Sequence, residues 1–160
     1  MTEEWQRLAP SARLLFHLQA VVRWVLFHLP LSIGAGFATS ALWSWQAGLI
    51  AAACLAFGLA IAALWMPSLA YERYRYRLRQ DDFQVHSGVL LRRLTTIPTS
   101  RVQHVDTHQG VLEQLFGLAR VHVFTAAGVG ADGTIPGLAL EDAEALRDAL
   151  VARATGDDGL

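Results

Sequence analysis

The sequence predicts a membrane helical hairpin of two transmembrane helices, followed by a small α+β, mainly β domain capped by a C-terminal helix. Three observations carry this. From Trp24 to Tyr71 the chain has no Asp, Glu, Lys or Arg. At Tyr71 the pattern changes to alternation with period two, the mark of half-buried strands. Beyond Leu140 it turns helical, with Glu141 and Asp142 at the start and Arg153 near the end, as the helix dipole favours.

The stronger span is Ala47–Met66, AGLIAAACLAFGLAIAALWM. About 20 such residues at about 1.5 Å each cover the hydrocarbon core of a bilayer. The first span, Trp24–Trp43, is diluted by His28, Pro30, Ser32, Thr39 and Ser40, and Pro30 should kink it. Residues 44–46 form the turn between them. Ahead of both, residues 1–23 are expected to form an amphipathic segment leading to the bilayer, with Leu14, Leu18 and Val22 at helical spacing. A secretory signal is the rival reading of this end. The long apolar block, its late start and the second span directly after it argue against that.

Charge sets the orientation. Arg7, Arg13 and Arg23 precede the first span and Arg73, Arg75, Arg77 and Arg79 follow the second, while the turn has none. By the positive-inside rule both termini are cytoplasmic, with Trp24 and Trp65 at the inner interface and Trp43 and Trp45 at the outer. Ala52, Ala56 and Ala60 on one helix, and Gly34 with Ala38 on the other, would let the two helices approach closely. His28 reads as a neutral residue near the interface rather than a proton relay, because no intramembrane carboxylate could partner it.

Composition narrows the function. A formal net charge of −1 argues against a dedicated nucleic-acid binder. All 13 basic residues are Arg, which fits a compositional bias as well as a local purpose. The single cysteine, Cys54, lies within a span and can form neither an internal disulfide nor a Cys-x-x-Cys site.

In the soluble part, Tyr71–Arg79 is expected to be a strand with Arg73, Arg75, Arg77 and Arg79 on one face. Phe83–Ser87, Val89–Ile97, Arg101–His108, Leu118–Thr125 and a short edge at Thr134–Pro136 follow as further strands. Val111, Leu112, Leu115 and Phe116 have the spacing of one or two helical turns, and Ala126–Gly133 is a glycine-rich turn. Leu140–Arg153 is the terminal helix, and residues 154–160 a disordered acidic tail. The domain occupies residues 71–153, about 80 residues, enough for a modest core.

Three stretches carry a resemblance: YRLRQDDFQVHSGVLLRR, then TIPTSRVQHVDTHQGVLEQLFGLARVHV, then IPGLALEDAEALRDAL after the glycine-rich turn. Together they resemble the bacterial pleckstrin-homology-like domain of YdbS-like membrane proteins, in which two spans precede one such domain. The resemblance implies a barrel-like, seven-stranded sheet with a C-terminal helix. It also implies a bacterial inner-membrane location and, often, a longer companion with several copies of the domain. It brings no catalytic residues and no settled activity; some relatives are associated with tolerance of antimicrobial peptides.

The residues themselves offer little chemistry. On a strand, His104, Asp106 and His108 share a face, but the two histidines stand about 13 Å apart, too far for one metal. No serine has a G-x-S-x-G setting. Gly128-Val129-Gly130 leads into a short strand, not the helix a phosphate cradle needs. No catalytic residue, metal or cofactor is expected. The expectation is therefore a non-enzymatic, multi-pass inner-membrane protein whose domain serves interaction or assembly, linked to membrane stress or antimicrobial-peptide tolerance. Its expected partners are the lipid bilayer and another membrane protein with related domains, or a second copy, but no nucleic acid. Thr134, Ile135 and Pro136 are the candidate edge for a partner strand. The alternative is an anionic-lipid sensor working through the arginine face of Arg73, Arg75, Arg77 and Arg79.

Overall fold

The computed structural model describes residues 4–126 and 130–156. Two compact units result, one of Phe16–Leu69 and one of Met1–Leu15 with Ala70–Leu160. The first holds most of the helices: α1 (Ala12–Arg23), which begins in the other unit, continues through a π-helical turn (Trp24–His28) into α2 (Leu29–Leu42), and α3 (Trp45–Arg73) ends in the other unit. Ala12–Leu42 and Trp45–Arg73 are each long and apolar enough to cross a membrane. The first helix starts well before the expected 24–43 and ends one residue short of it, the second outruns 47–66 at both ends, and the turn is Trp43 and Ser44. Helix persists wherever backbone bonding is not broken, whereas hydropathy marks only the apolar part. Just ahead of Pro30, where a kink is expected, the helix contains the π turn. There the Leu29 amide donates to the Trp24 carbonyl, five residues back, just before a residue that cannot donate.

Close approach within this unit depends on glycines other than the one expected. A Cβ on Gly36 would lie 2.7 Å from Ala52 Cβ, and one on Gly48 would lie 2.5 Å from the Gly36 carbonyl oxygen. Ser32, Gly36 and Gly48 are buried, while Gly34 and Ala38 are exposed, and a Cβ on Gly34 would meet nothing within 4 Å. The stripe of Gly34 and Ala38 therefore faces away from the helix contact. Its four-residue spacing was right and its phase wrong, since Ser32-Gly36-Ser40 is the contacting row. Trp24 Nε1 donates to the Ala56 carbonyl at 3.3 Å, and Ser68 Oγ is 3.1 Å from His17 Nε2. Trp24 thus packs into the hairpin rather than serving only as an interfacial anchor.

The second unit contains two antiparallel three-stranded sheets. The first comprises β1 (Arg75–Leu78), β2 (Asp82–Ser87) and β3 (Arg93–Pro98) in that order. The second comprises β4 (Val102–His108), β5 (Leu118–Thr125) and β6 (Gly133–Ala139), with the short helix α4 (Val111–Leu115) between β4 and β5. Helix α5 (Leu140–Gly156) closes the unit and packs against β4, β5 and β6. Alternation places Tyr76, Leu78, Phe83, Val85 and Ile97 from one sheet and Val105, Val121, Val123 and Ile135 from the other in the core, with Leu146 and Leu150 of α5. Where the sheets meet, a Cβ on Gly133 would come within 2.9 Å of Ile97 Cδ1, so a side chain there would have to displace the end of Ile97.

Several expectations shift. Among the described residues there are six strands rather than the seven that the resemblance implies. Tyr71–Arg73 is the end of α3, not the start of a strand, because nothing in Tyr71-Glu72-Arg73 terminates a helix already formed. Val89–Arg92 is a loop. Helix α5 runs into the expected tail as far as Gly156; residues 157–160 and Ala127–Val129 of the glycine-rich turn lie outside the described residues. Residues 4–15 of the expected amphipathic segment pack with the domain. Gln6 pairs with Tyr76 (amide to carbonyl 2.7 Å, the reverse 3.1 Å), and Leu8, Ala12 and Leu15 are buried.

Candidate functional site

The four arginines do not form one row. Arg73 ends α3 and donates through Nη1 to the Val89 carbonyl. Arg75 and Arg77 alternate with buried Tyr76 and Leu78 on β1, and Arg79 lies just past the strand. Arg77 is already engaged: Nε and Nη2 donate to Gln84 Oε1 at 3.0 and 2.7 Å, and its guanidinium stacks 4.4 Å over the Trp5 ring. Trp5 in turn meets the His86 ring edge-on at 5.2 Å. Arg75 donates to the Tyr74 carbonyl at 2.7 Å, and Arg79 offers its carbonyl to Arg153 at 2.7 Å. One run of alternating arginines is thus divided by the helix-to-strand change at Tyr74.

Thr134, Ile135 and Pro136 lie on β6, an edge strand in its sheet. The edge is blunted. The Tyr74 hydroxyl donates to the Thr134 carbonyl, the Ala9 amide donates to the Gly137 carbonyl at 3.0 Å, and Pro136 has no amide hydrogen. Ile135 is wholly buried. Burial pushes the Tyr74 phenol up to about 12, so it stays protonated and remains a donor. The N-terminal segment similarly covers β1 through Gln6. The two remaining edges differ: β3 pairs only with β2, and β4 only with β5. Arg93, Leu94 and Thr96 on β3 and Gln103, His104, Asp106 and His108 on β4 are exposed.

The outer face of the second sheet gathers the histidines. His104 Nε2 and Asp106 Oδ1 stand 2.8 Å apart, Asp106 is the cross-strand partner of His122, and His122 Nδ1 lies 3.0 Å from Thr134 Oγ1. Burial holds His122 below the usual histidine range, with Arg120 and His108 adding like-charge repulsion against weaker pulls from Asp106 and Glu113. Among the described residues, no three His, Cys, Asp or Glu side chains converge to hold a metal.

Sequence reasoning passed over one charged cluster. Glu113, buried on α4, accepts from Arg120 Nε at 2.7 Å, from Arg120 Nη2, and from the Gly110 amide at 2.5 Å. Gln109 Nε2 donates to the Leu118 carbonyl at 2.8 Å, and Gly117 adopts φ +63° at the exit of α4. The QG…E…FGLAR stretch is thus a clasp holding α4 on β5. An acidic residue three places after Gly110, in the short helical stretch VLEQL, was the available signal.

Two sheets closed by a terminal helix, on a chain with two bilayer-length helices, define a membrane protein carrying a pleckstrin-homology-like domain. More particularly, the chain belongs to the Bacterial PH domain family, which it matches over residues 14–154. It is 35% identical over 116 residues to the UPF0699 transmembrane protein YdbS of Bacillus subtilis, covering 71% of this chain and 70% of that one. It is also 25% identical over 99 residues to the UPF0699 transmembrane protein YdbT of the same organism. That match covers 59% of this chain but 20% of the much longer relative. No solved structure matches the chain.

Proposed function

We propose that the chain is a non-enzymatic assembly module, anchored in the bacterial inner membrane with both termini cytoplasmic. In this reading it recruits a larger membrane protein bearing related domains, or a second copy of itself, by pairing along the free edge of β3 or β4. The observation that carries this is the unequal treatment of the four sheet edges. The N-terminal segment and Tyr74 occupy backbone groups on β1 and β6, whereas β3 and β4 present one-sided ladders in their most exposed strands. Free ladders of this kind accept partner strands through main-chain hydrogen bonds. The Gln6–Tyr76 pairing supports a common side for the N-terminus and the domain, and the arginine distribution supports that side being cytoplasmic. The match of a separate, longer relative to the same domain supports the choice of partner. A role in membrane stress or peptide tolerance would follow from that partner's activity.

A photo-crosslinking amino acid at Thr96 or Gln103, with Glu144 on the exposed face of α5 as reference, tests the assignment in native membranes. The expected adducts from the first two positions contain a larger Bacterial PH domain protein or a second copy of the chain. Equal labelling from all three positions, or lipid adducts alone from Thr96 and Gln103, refutes edge pairing.

A further inference from the structure

The β2–β3 loop carries an apolar tip for which the core has no use. Leu90 and Leu91 are 85% and 87% exposed, more than any other large hydrophobic residue among those described, and the exposed pair Arg92–Arg93 comes directly after. The loop is a defined turn rather than slack chain. Gly88 sits at φ +102°, and a Cβ there would lie 1.8 Å from the Leu91 carbonyl oxygen, so only glycine permits this path. The Val89 carbonyl, directly after Gly88, accepts from Arg73.

Arg73 is the last residue of α3. That helix has 29 residues, which at about 1.5 Å each gives about 43 Å. This is the thickness of a bilayer with its headgroup layers, about 40–45 Å. A helix spanning from the charge-free turn at Trp43–Ser44 has the length to carry Arg73 to the opposite membrane surface, and Val89 of the loop is bonded to Arg73. We propose that the Val89–Leu91 tip inserts into this leaflet, with Leu90 and Leu91 at the boundary of headgroups and acyl chains and Arg92 and Arg93 among anionic headgroups. Two leucines flanked by a basic pair match that layer, apolar below and anionic above. A second strongly exposed apolar pair among the described residues of the domain, Val111 and Leu115, has no arginine next to it in the sequence. The proposal is separate from edge pairing at β3 or β4. It concerns how the domain is held against its own membrane, whatever protein it binds.

The test uses the full chain, with Cys54→Ala removing the native thiol, reconstituted in nanodiscs of neutral or partly anionic phospholipid. A polarity-sensitive fluorophore is attached at Leu91→Cys or, for reference, at Ala145→Cys on the exposed face of α5. Lipids with a nitroxide near the headgroup then quench whatever lies within reach. The expected result is at least threefold stronger quenching at position 91 than at 145, with a blue-shifted emission. Arg92→Gln with Arg93→Gln should reduce the quenching in anionic nanodiscs and leave it unchanged in neutral ones. Quenching at 91 equal to that at 145 overturns insertion. Strong quenching that ignores the arginine changes in anionic lipid overturns the headgroup role.

Discussion

Replacing Glu113 by alanine should loosen the domain without touching any exposed surface. The carboxylate accepts two bonds from Arg120 and one from the Gly110 amide, and its side chain is 3% exposed. Removing one partner of a buried ion pair costs about 3–5 kcal/mol, because the other charge is stranded. Arg120 is 34% exposed and can recover part of that loss from water, while the Gly110 amide loses a bond of about 1 kcal/mol. A net loss of about 2–3 kcal/mol results. For a domain of this size that lowers Tm by roughly 10–20 °C. Glu113→Gln, which can still accept from Gly110, should lose about half as much. The assay is thermal unfolding of the full chain in nanodiscs, monitored by near-ultraviolet circular dichroism, with Arg120→Ala and the double variant completing a cycle. A coupling energy below about 0.5 kcal/mol between Glu113 and Arg120 would refute the clasp.

The hairpin and the histidine face give two further outcomes. Gly48→Ala forces a methyl to within 2.5 Å of the Gly36 carbonyl and should weaken the hairpin by about 1–3 kcal/mol, whereas Gly34→Ala should be silent. Resistance of the hairpin to proteolysis in detergent measures both, and equal behaviour of the two variants contradicts the assigned contact face. His122, held below its ordinary value of 6.5 by burial and then by Arg120 and His108, binds protons more readily unfolded than folded. Its contribution to stability is therefore full above about pH 6.5 and falls as the pH drops from there toward the lowered folded value. His122→Gln should flatten Tm between pH 7.5 and 5, and an unchanged slope would assign the dependence elsewhere.

The part of this fold that could be read in the sequence is the part governed by burial, which leaves a periodic record. The uncharged run of Trp24–Tyr71 marks two helices, and alternation at Phe83, Val85, Val121 and Val123 marks strands. Boundaries were harder, because ending a helix depends on its backbone partners. Arg73 completes α3 despite the alternation beyond it, and a row of four arginines becomes two residues on a strand with one outlier on either side. Phase was harder again. Gly34 and Gly36 look alike as letters, and only the packed structure shows that Gly36 rather than Gly34 meets α3. Least legible were long-range backbone bonds, since no side-chain pattern announces that Gln6 will pair with Tyr76 or Ala9 with Gly137. Those bonds decide which sheet edges remain free. In the assembly reading proposed above, they shift the candidate docking edge from Thr134–Pro136, where the sequence pattern placed it, to β3 and β4. On that proposal, Gln6 and Ala9, by occupying backbone groups of Tyr76 and Gly137, restrict where a partner strand could pair.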